Sequence, residues 1–183
     1  MSELTLSGVE SLLKEGGYDC AVLGDIDSPL GEYLQVFLGV DAAGAEQTVA
    51  IQIVKDLLGD PRLKTKVPVQ LLKVSFVSEL AVEVQDMAVE DVACLLHFIN
   101  RTMDLPGFEL DETRGRVTYR YVHLTPDRKD DLGLVRALVG VVRLFLELFS
   151  GAIREVAEGE KSFNDVLDIV VAHLNELQLE EGE

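Results

Sequence analysis

The stretch from Asn100 to Leu124 constrains the fold more tightly than any other part of the chain. A helical pattern runs down to Ile99-Asn100-Arg101, and Pro106-Gly107 stops it. Phe108 to Leu110 has the composition of a short strand, Asp111 to Gly115 that of a tight turn, and Arg116 to Leu124 that of a second strand. Gly115 can take the positive φ that a short hairpin loop needs. A helix leading into a hairpin implies an antiparallel strand pair with a helix beside it.

The remaining strands are read from alternation. Glu32 to Val40 places Leu34, Val36, Leu38 and Val40 on one side, and Asp41 to Gly44 reads as a hairpin connection. Gln47 to Val54 sets Val49, Ile51 and Ile53 against Thr48, Ala50 and Gln52, so one face is buried and the other wet. Asp56 to Pro68, with Gly59-Asp60-Pro61, reads as a loop. A third strand spans about Val69 to Val77, and Leu80 to Val84 is either an irregular lead-in or an edge strand. Cys20 to Leu23 is a further, short candidate.

Helical spacing accounts for the rest. Leu6, Val9, Leu12 and Leu13 share a face that ends at Gly16-Gly17, with a start at Thr5 or, through a capping box with Glu10, at Ser7. Asp86 is the expected N-cap of a second helix, whose stripe is Val89, Val92, Ala93, Leu96, Ile99 and Met103. Thr125-Pro126 is a start signal for a long helix from about Asp130 to Val156. Ser162, with Asp165 three residues on, caps a last helix from Phe163 to about Leu177. The order predicts an α+β fold with an antiparallel sheet of about five strands, packed by helices, plus an extra C-terminal helix. Residues 1–158 form the expected domain, 159–178 the appended helix and 179–183 an acidic, frayed tail.

The long helix carries more apolar surface than one sheet face requires. Val135, Leu138, Val139, Val142, Phe145, Leu146, Phe149 and Ile153 make one stripe, and Leu134, Val141, Leu144 and Leu148 a second beside it. The second stripe needs a cover, either the terminal helix or another copy of the chain. Phe98, roughly opposite the core stripe of its own helix, marks either a contact or a second packing layer.

Charge excludes several functions. Sixteen basic residues against 33 acidic ones give a net charge of −17, which disfavours nucleic acid and anionic membranes. Arg136, Arg143 and Glu147 interrupt the apolar run from Leu132 to Phe149, and each would cost about 2.5–3.5 kcal/mol at a bilayer centre. The N-terminus lacks the pattern of a signal peptide, and two cysteines, Cys20 and Cys94, are expected as reduced thiols of a cytoplasmic protein.

Motifs of reaction chemistry are missing. There is no phosphate loop, no dinucleotide fingerprint, no nucleophile elbow and no His-Glu-x-x-His. Cys94 and His97 stand three apart, half a metal site, and His123 shares a strand face with Tyr119 and Tyr121. Asp25 and Asp27 precede Ser28-Pro29 without a twelve-residue calcium loop. No catalytic, cofactor-binding or metal-binding residue is therefore assigned. An enzyme built on Cys94, His97 and a carboxylate, or a small-ligand sensor with a helix–sheet pocket, remains an alternative.

The segment resembles the YbjN family, whose fold is shared with class I type III secretion chaperones. The resemblance rests on Ile99 to Arg101, on Gly-Phe-x-Leu-Asp at Gly107 to Asp111, on Gly115, and on Val-x-Tyr-Arg at Val117 to Arg120. It implies a small acidic bacterial protein of the cytoplasm without catalytic residues, sensory or regulatory, or a homodimeric chaperone for an extended protein segment. The expectation is thus a non-catalytic module that binds a protein segment, as a homodimer, through Phe98, Val141, Leu144 and Leu148, with no cofactor, no nucleic acid and no membrane.

Overall fold

The computed structural model describes residues 4–24, 31–58, 69–105, 107–126 and 131–180. The elements are α1 (Leu6–Glu15), β1 (Cys20–Leu23), β2 (Tyr33–Val40), β3 (Glu46–Leu58), β4 (Val69–Glu83), a 3-10 turn (Asp86–Ala88), α2 (Val89–Thr102), β5 (Phe108–Asp111), β6 (Arg116–Pro126), α3 (Leu132–Ala157) and α4 (Phe163–Glu180). The sheet order is β1-β2-β3-β4-β6-β5, with every neighbouring pair antiparallel. The fold is α+β with an added C-terminal helix, as the sequence order predicts. No helix among the described residues is long and apolar enough to cross a membrane.

The sheet has six strands, the five expected and the short candidate. Cys20–Leu23 is the extra one: four residues alternate too briefly to identify a strand, and pairing with Tyr33–Val36 is what makes it one. Leu80–Val84 is neither a lead-in nor an edge strand through most of its length. It continues β4, which crosses a register shift between Glu79 and Glu83. Asp56 to Leu58 belongs to β3, and the rest of the expected loop, 59–68, lies outside the described residues with Asp25, Asp27 and 181–183.

Four helix starts show which local signals win. Thr5 caps α1, its hydroxyl accepting from Gly8 N–H at 3.2 Å. Asp86 is not the cap of α2: it opens the 3-10 turn, whose Gln85 N–H donates to Ala157 O at 3.0 Å. That bond to the end of α3 fixes the lead-in, so tertiary anchoring replaces a side-chain cap. Thr125-Pro126 is likewise no helix start, because β6 runs on beside β4 and pairs Thr125 with Leu72. At α4, Ser162 and Asp165 do form the reciprocal cap: Asp165 N–H donates to Ser162 Oγ at 3.2 Å and Ser162 N–H to Asp165 Oδ2 at 2.8 Å.

One sheet face carries the core. Leu34, Val36, Val49, Ile51, Leu72, Val74, Phe76, Val117 and Tyr119 point into it and are fully buried. Val9 and Leu13 of α1, Val92, Leu95, Leu96 and Ile99 of α2, and Val135, Val139, Val142, Leu146 and Ile153 of α3 close over it. Burying each such side chain contributes about 1.5–3 kcal/mol before the entropy of ordering is subtracted.

A polar clamp joins the β2–β3 hairpin to α3. Asp41 accepts from Ala43 N–H at 2.9 Å and Ala45 N–H at 2.8 Å, and Arg154 donates to its other oxygen at 2.5 Å. Arg154 also donates to Ala81 O of β4 at 3.0 Å. Burial alone would raise the Asp41 carboxyl, but the Ala45 and Ala43 amides and Arg154 outweigh it and hold it below the usual aspartate range. A depressed native value makes the ionised carboxylate stabilising above the unfolded value, and this contribution is lost as pH falls through the native one. Asp41→Asn is therefore expected to be less stable than wild type at pH 7, with the gap narrowing as pH falls below about 4. Urea unfolding across that range measures it; a gap that does not change with pH would show that Asp41 has the same affinity for protons folded and unfolded.

Candidate protein-interaction surfaces

The α2–β5 junction explains the stretch from Asn100 to Gly115 residue by residue. Asn100 Nδ2 donates to Phe108 O at 2.8 Å, and Asn100 Oδ1 accepts from Phe108 N–H at 3.0 Å and Gly107 N–H at 3.2 Å. At the hairpin tip, Asp111 Oδ1 accepts from Thr113 N–H at 3.1 Å and Arg114 N–H at 3.2 Å, and Gly115 takes φ +62°. These side chains are all engaged in holding backbone, which leaves none of them aimed at a ligand.

The candidates for chemistry do not converge. Among the described residues, no group of three or more His, Cys, Asp or Glu could hold a metal ion. Cys94 and His97 are both exposed on α2. His123 faces the core side of β6 opposite Val74, half-buried, and Cys20 is buried, with burial pushing its thiol up.

Phe98 lies against Phe163 of α4, ring centroids 6.2 Å apart at 61°. Phe163 N–H donates to Asp91 Oδ1 at 3.1 Å on the same helix. The start of α4 therefore docks on α2, and Phe98 is half-buried under it as part of a second layer. Farther along, Ile169 and Val171 of α4 are exposed. The second stripe of α3 is left open: Leu134 is 42% exposed, Leu144 49% and Leu148 60%, with Val141 half-buried.

The sheet face away from the helices is a further apolar surface. Register sets Ala21, Gln35, Ala50, Val77 and Arg120 in one row across it. Gln52, Ser75 and Val122 make the next row, and Val54, Lys73 and Leu124 the one after. Leu23, Phe37, Val54, Val122 and Leu124 are exposed there. The β5–β6 side is charged instead, with Arg120 bidentate on Glu109 and Arg116 paired with Glu79. Beside edge strand β1 this face forms a hollow of about 460 Å³ lined by Ala21, Leu23, Gln35, Phe37 and Thr48. Reading alternation as core-in, polar-out hides these residues; the available signal is an apolar residue on the wet phase, such as Phe37 between Val36 and Leu38.

A second, larger groove of about 820 Å³ runs between the end of α1, β2 and α3. Tyr18, Phe37, Arg136 and Arg143 line it, with glycines 16, 17, 39 and 133. Arg143 donates to Glu147 at 2.7 Å. A guanidinium pair two helical turns apart beside bare backbone suits carboxylate groups. Neither surface is marked by kinship: no protein-family model matches the chain, and no curated protein is similar to it.

Proposed function

We propose that the protein is a non-catalytic interaction module that binds an extended segment of a partner protein and acts as a homodimer in the cytoplasm. The observation that carries this reading is the open sheet face at β1, where Leu23 and Phe37 flank a hollow beside a strand edge that has no pairing partner among the described residues. An added strand there would gain main-chain hydrogen bonds from β1 and seat alternate side chains against those two residues. The element order through α3, together with the Gly107–Asp111 and Val117–Arg120 segments, supports a relationship to the YbjN family. The free thiols of Cys20 and Cys94 suit a reducing compartment.

Selection from a random peptide library on the immobilised protein tests the reading. Extended peptides with alternating apolar residues should be enriched, and Phe37→Glu should weaken them at least tenfold, about 1.4 kcal/mol or more. Absence of enrichment, or equal binding to Phe37→Glu, would overturn it.

A further inference from the structure

The exposed face of α3 is a seam of a particular kind. Leu134, Ala137, Val141, Leu144 and Leu148 follow one another at steps of three, four, three and four residues. That is the heptad spacing by which one helix packs along another, and it lies beside, not within, the core stripe of Val135, Leu138, Val139, Val142 and Leu146. The sheet uses the core stripe, α4 has gone to α2, and Leu134, Leu144 and Leu148 are left exposed.

We propose that a second copy of this chain covers the seam, with the two α3 helices antiparallel about a two-fold axis at Val141. The proposal rests on the homodimer reading above and gives it an interface. The seam is self-complementary. Leu134 and Leu148 stand seven residues to either side of Val141, so the two-fold sets each Leu134 on the partner's Leu148. It sets Ala137 beside the partner's Leu144, small against large, which lets the helices interdigitate.

Charge supports the same occupant. The same operation brings Arg136 to within one residue, about 1.5 Å along the axis, of the level of the partner's Glu147 on the same flank. Among the described residues Arg136 makes no ion pair or hydrogen bond, whereas Glu147 has an oxygen to spare beyond its bond to Arg143. The pairing would form twice, as an isologous interface requires. From Leu134 to Leu148 the helix carries two arginines and one glutamate in a chain of net charge −17, so acidic repulsion between two copies is small along this stretch. Gly133, Gly140 and Gly151 add a second sign. A Cβ at any of them would meet nothing within 4 Å in the protomer, although each glycine costs the helix about 1 kcal/mol relative to alanine. Two of them, Gly133 and Gly140, line the flank where the other backbone would approach.

Light scattering during size exclusion at about 50 μM should give twice the chain mass for wild type and a monomer for Leu144→Glu, with an unchanged circular dichroism spectrum and a melting temperature that, unlike the wild type's, does not rise with protein concentration. Arg136→Glu should raise the dimer dissociation constant about tenfold or more, and adding Glu147→Arg should restore it. In a Cys94→Ser background, Val141→Cys at the axis should crosslink to itself with a short bis-maleimide, and Cys94→Ser alone should not. A wild-type monomer, or a dimer that survives Leu144→Glu, overturns the interface. Peptide binding that persists in such a monomer would leave the segment-binding reading standing and remove only this one.

Discussion

Tyr119→Ala is expected to cost about 3–5 kcal/mol and to lower the melting temperature by about 6–20 °C. Tyr119 is the largest fully buried side chain among the described residues. Its ring meets Phe108 edge-on at 5.0 Å and Phe145 at 6.0 Å, and Phe108 in turn meets Phe149 at 6.1 Å. Removing the ring opens a cavity at the point where β5, β6 and α3 join. The hydroxyl adds a separable effect. It donates to Leu105 O at 3.2 Å, so Tyr119→Phe should cost only about 1 kcal/mol.

Burial, with a smaller contribution from Tyr121, pushes the Tyr119 phenol up to about 12. The unfolded chain releases that proton from about pH 10, whereas the native state keeps it. A raised native value gives stability that is fully present below pH 10 and is lost as pH rises from 10 to 12. Urea unfolding of wild type and Tyr119→Phe over pH 9 to 12 isolates the effect: the wild-type curve should fall more steeply. Parallel curves would show that the phenol is not held protonated by the fold.

What could be read from the chain followed the strength of its periodicity. Leu34, Val36, Val49 and Ile51 alternate long enough to declare β2 and β3, and all four are buried. Cys20–Leu23 alternates for four residues only, and its identity comes from partners on β2 that local sequence does not reveal. The surplus of α3 was legible because two stripes cannot both face one sheet. Which element would cover the second was not, because α4 is apolar on several sides: Val166, Leu167, Ile169, Val170 and Val171 leave its docking face undetermined. The pairing of Phe163 with Phe98, settled in three dimensions, sends α4 to α2 and leaves Leu144 and Leu148 open. The open sheet face was missed for a related reason. Phe37, Val54, Val122 and Leu124 occupy the phase that alternation assigns to solvent, and only the register aligns them across strands.

Gly107→Ala should be nearly as damaging as loss of the Tyr119 ring, at about 2–4 kcal/mol, although it adds a single methyl group. A Cβ at Gly107 would sit 2.5 Å from Arg120 O, which is backbone and cannot swing aside, and 3.2 Å from the Tyr119 ring. Relief requires the start of β5 to move away from β6. That motion would break the bond from Arg120 N–H to Gly107 O, now 2.7 Å, and strain those that Asn100 makes to Gly107 and Phe108. Asn100→Ala removes the second set alone and leaves the Phe108 amide and carbonyl short of partners, at about 2–3 kcal/mol. Because both changes act through the same junction, the double variant should lose less than the sum of the singles. Chemical denaturation of the four proteins checks this. A Gly107→Ala protein within 0.5 kcal/mol of wild type would mean that β5 yields freely, and that the glycine in the motif is not there to admit the neighbouring strand.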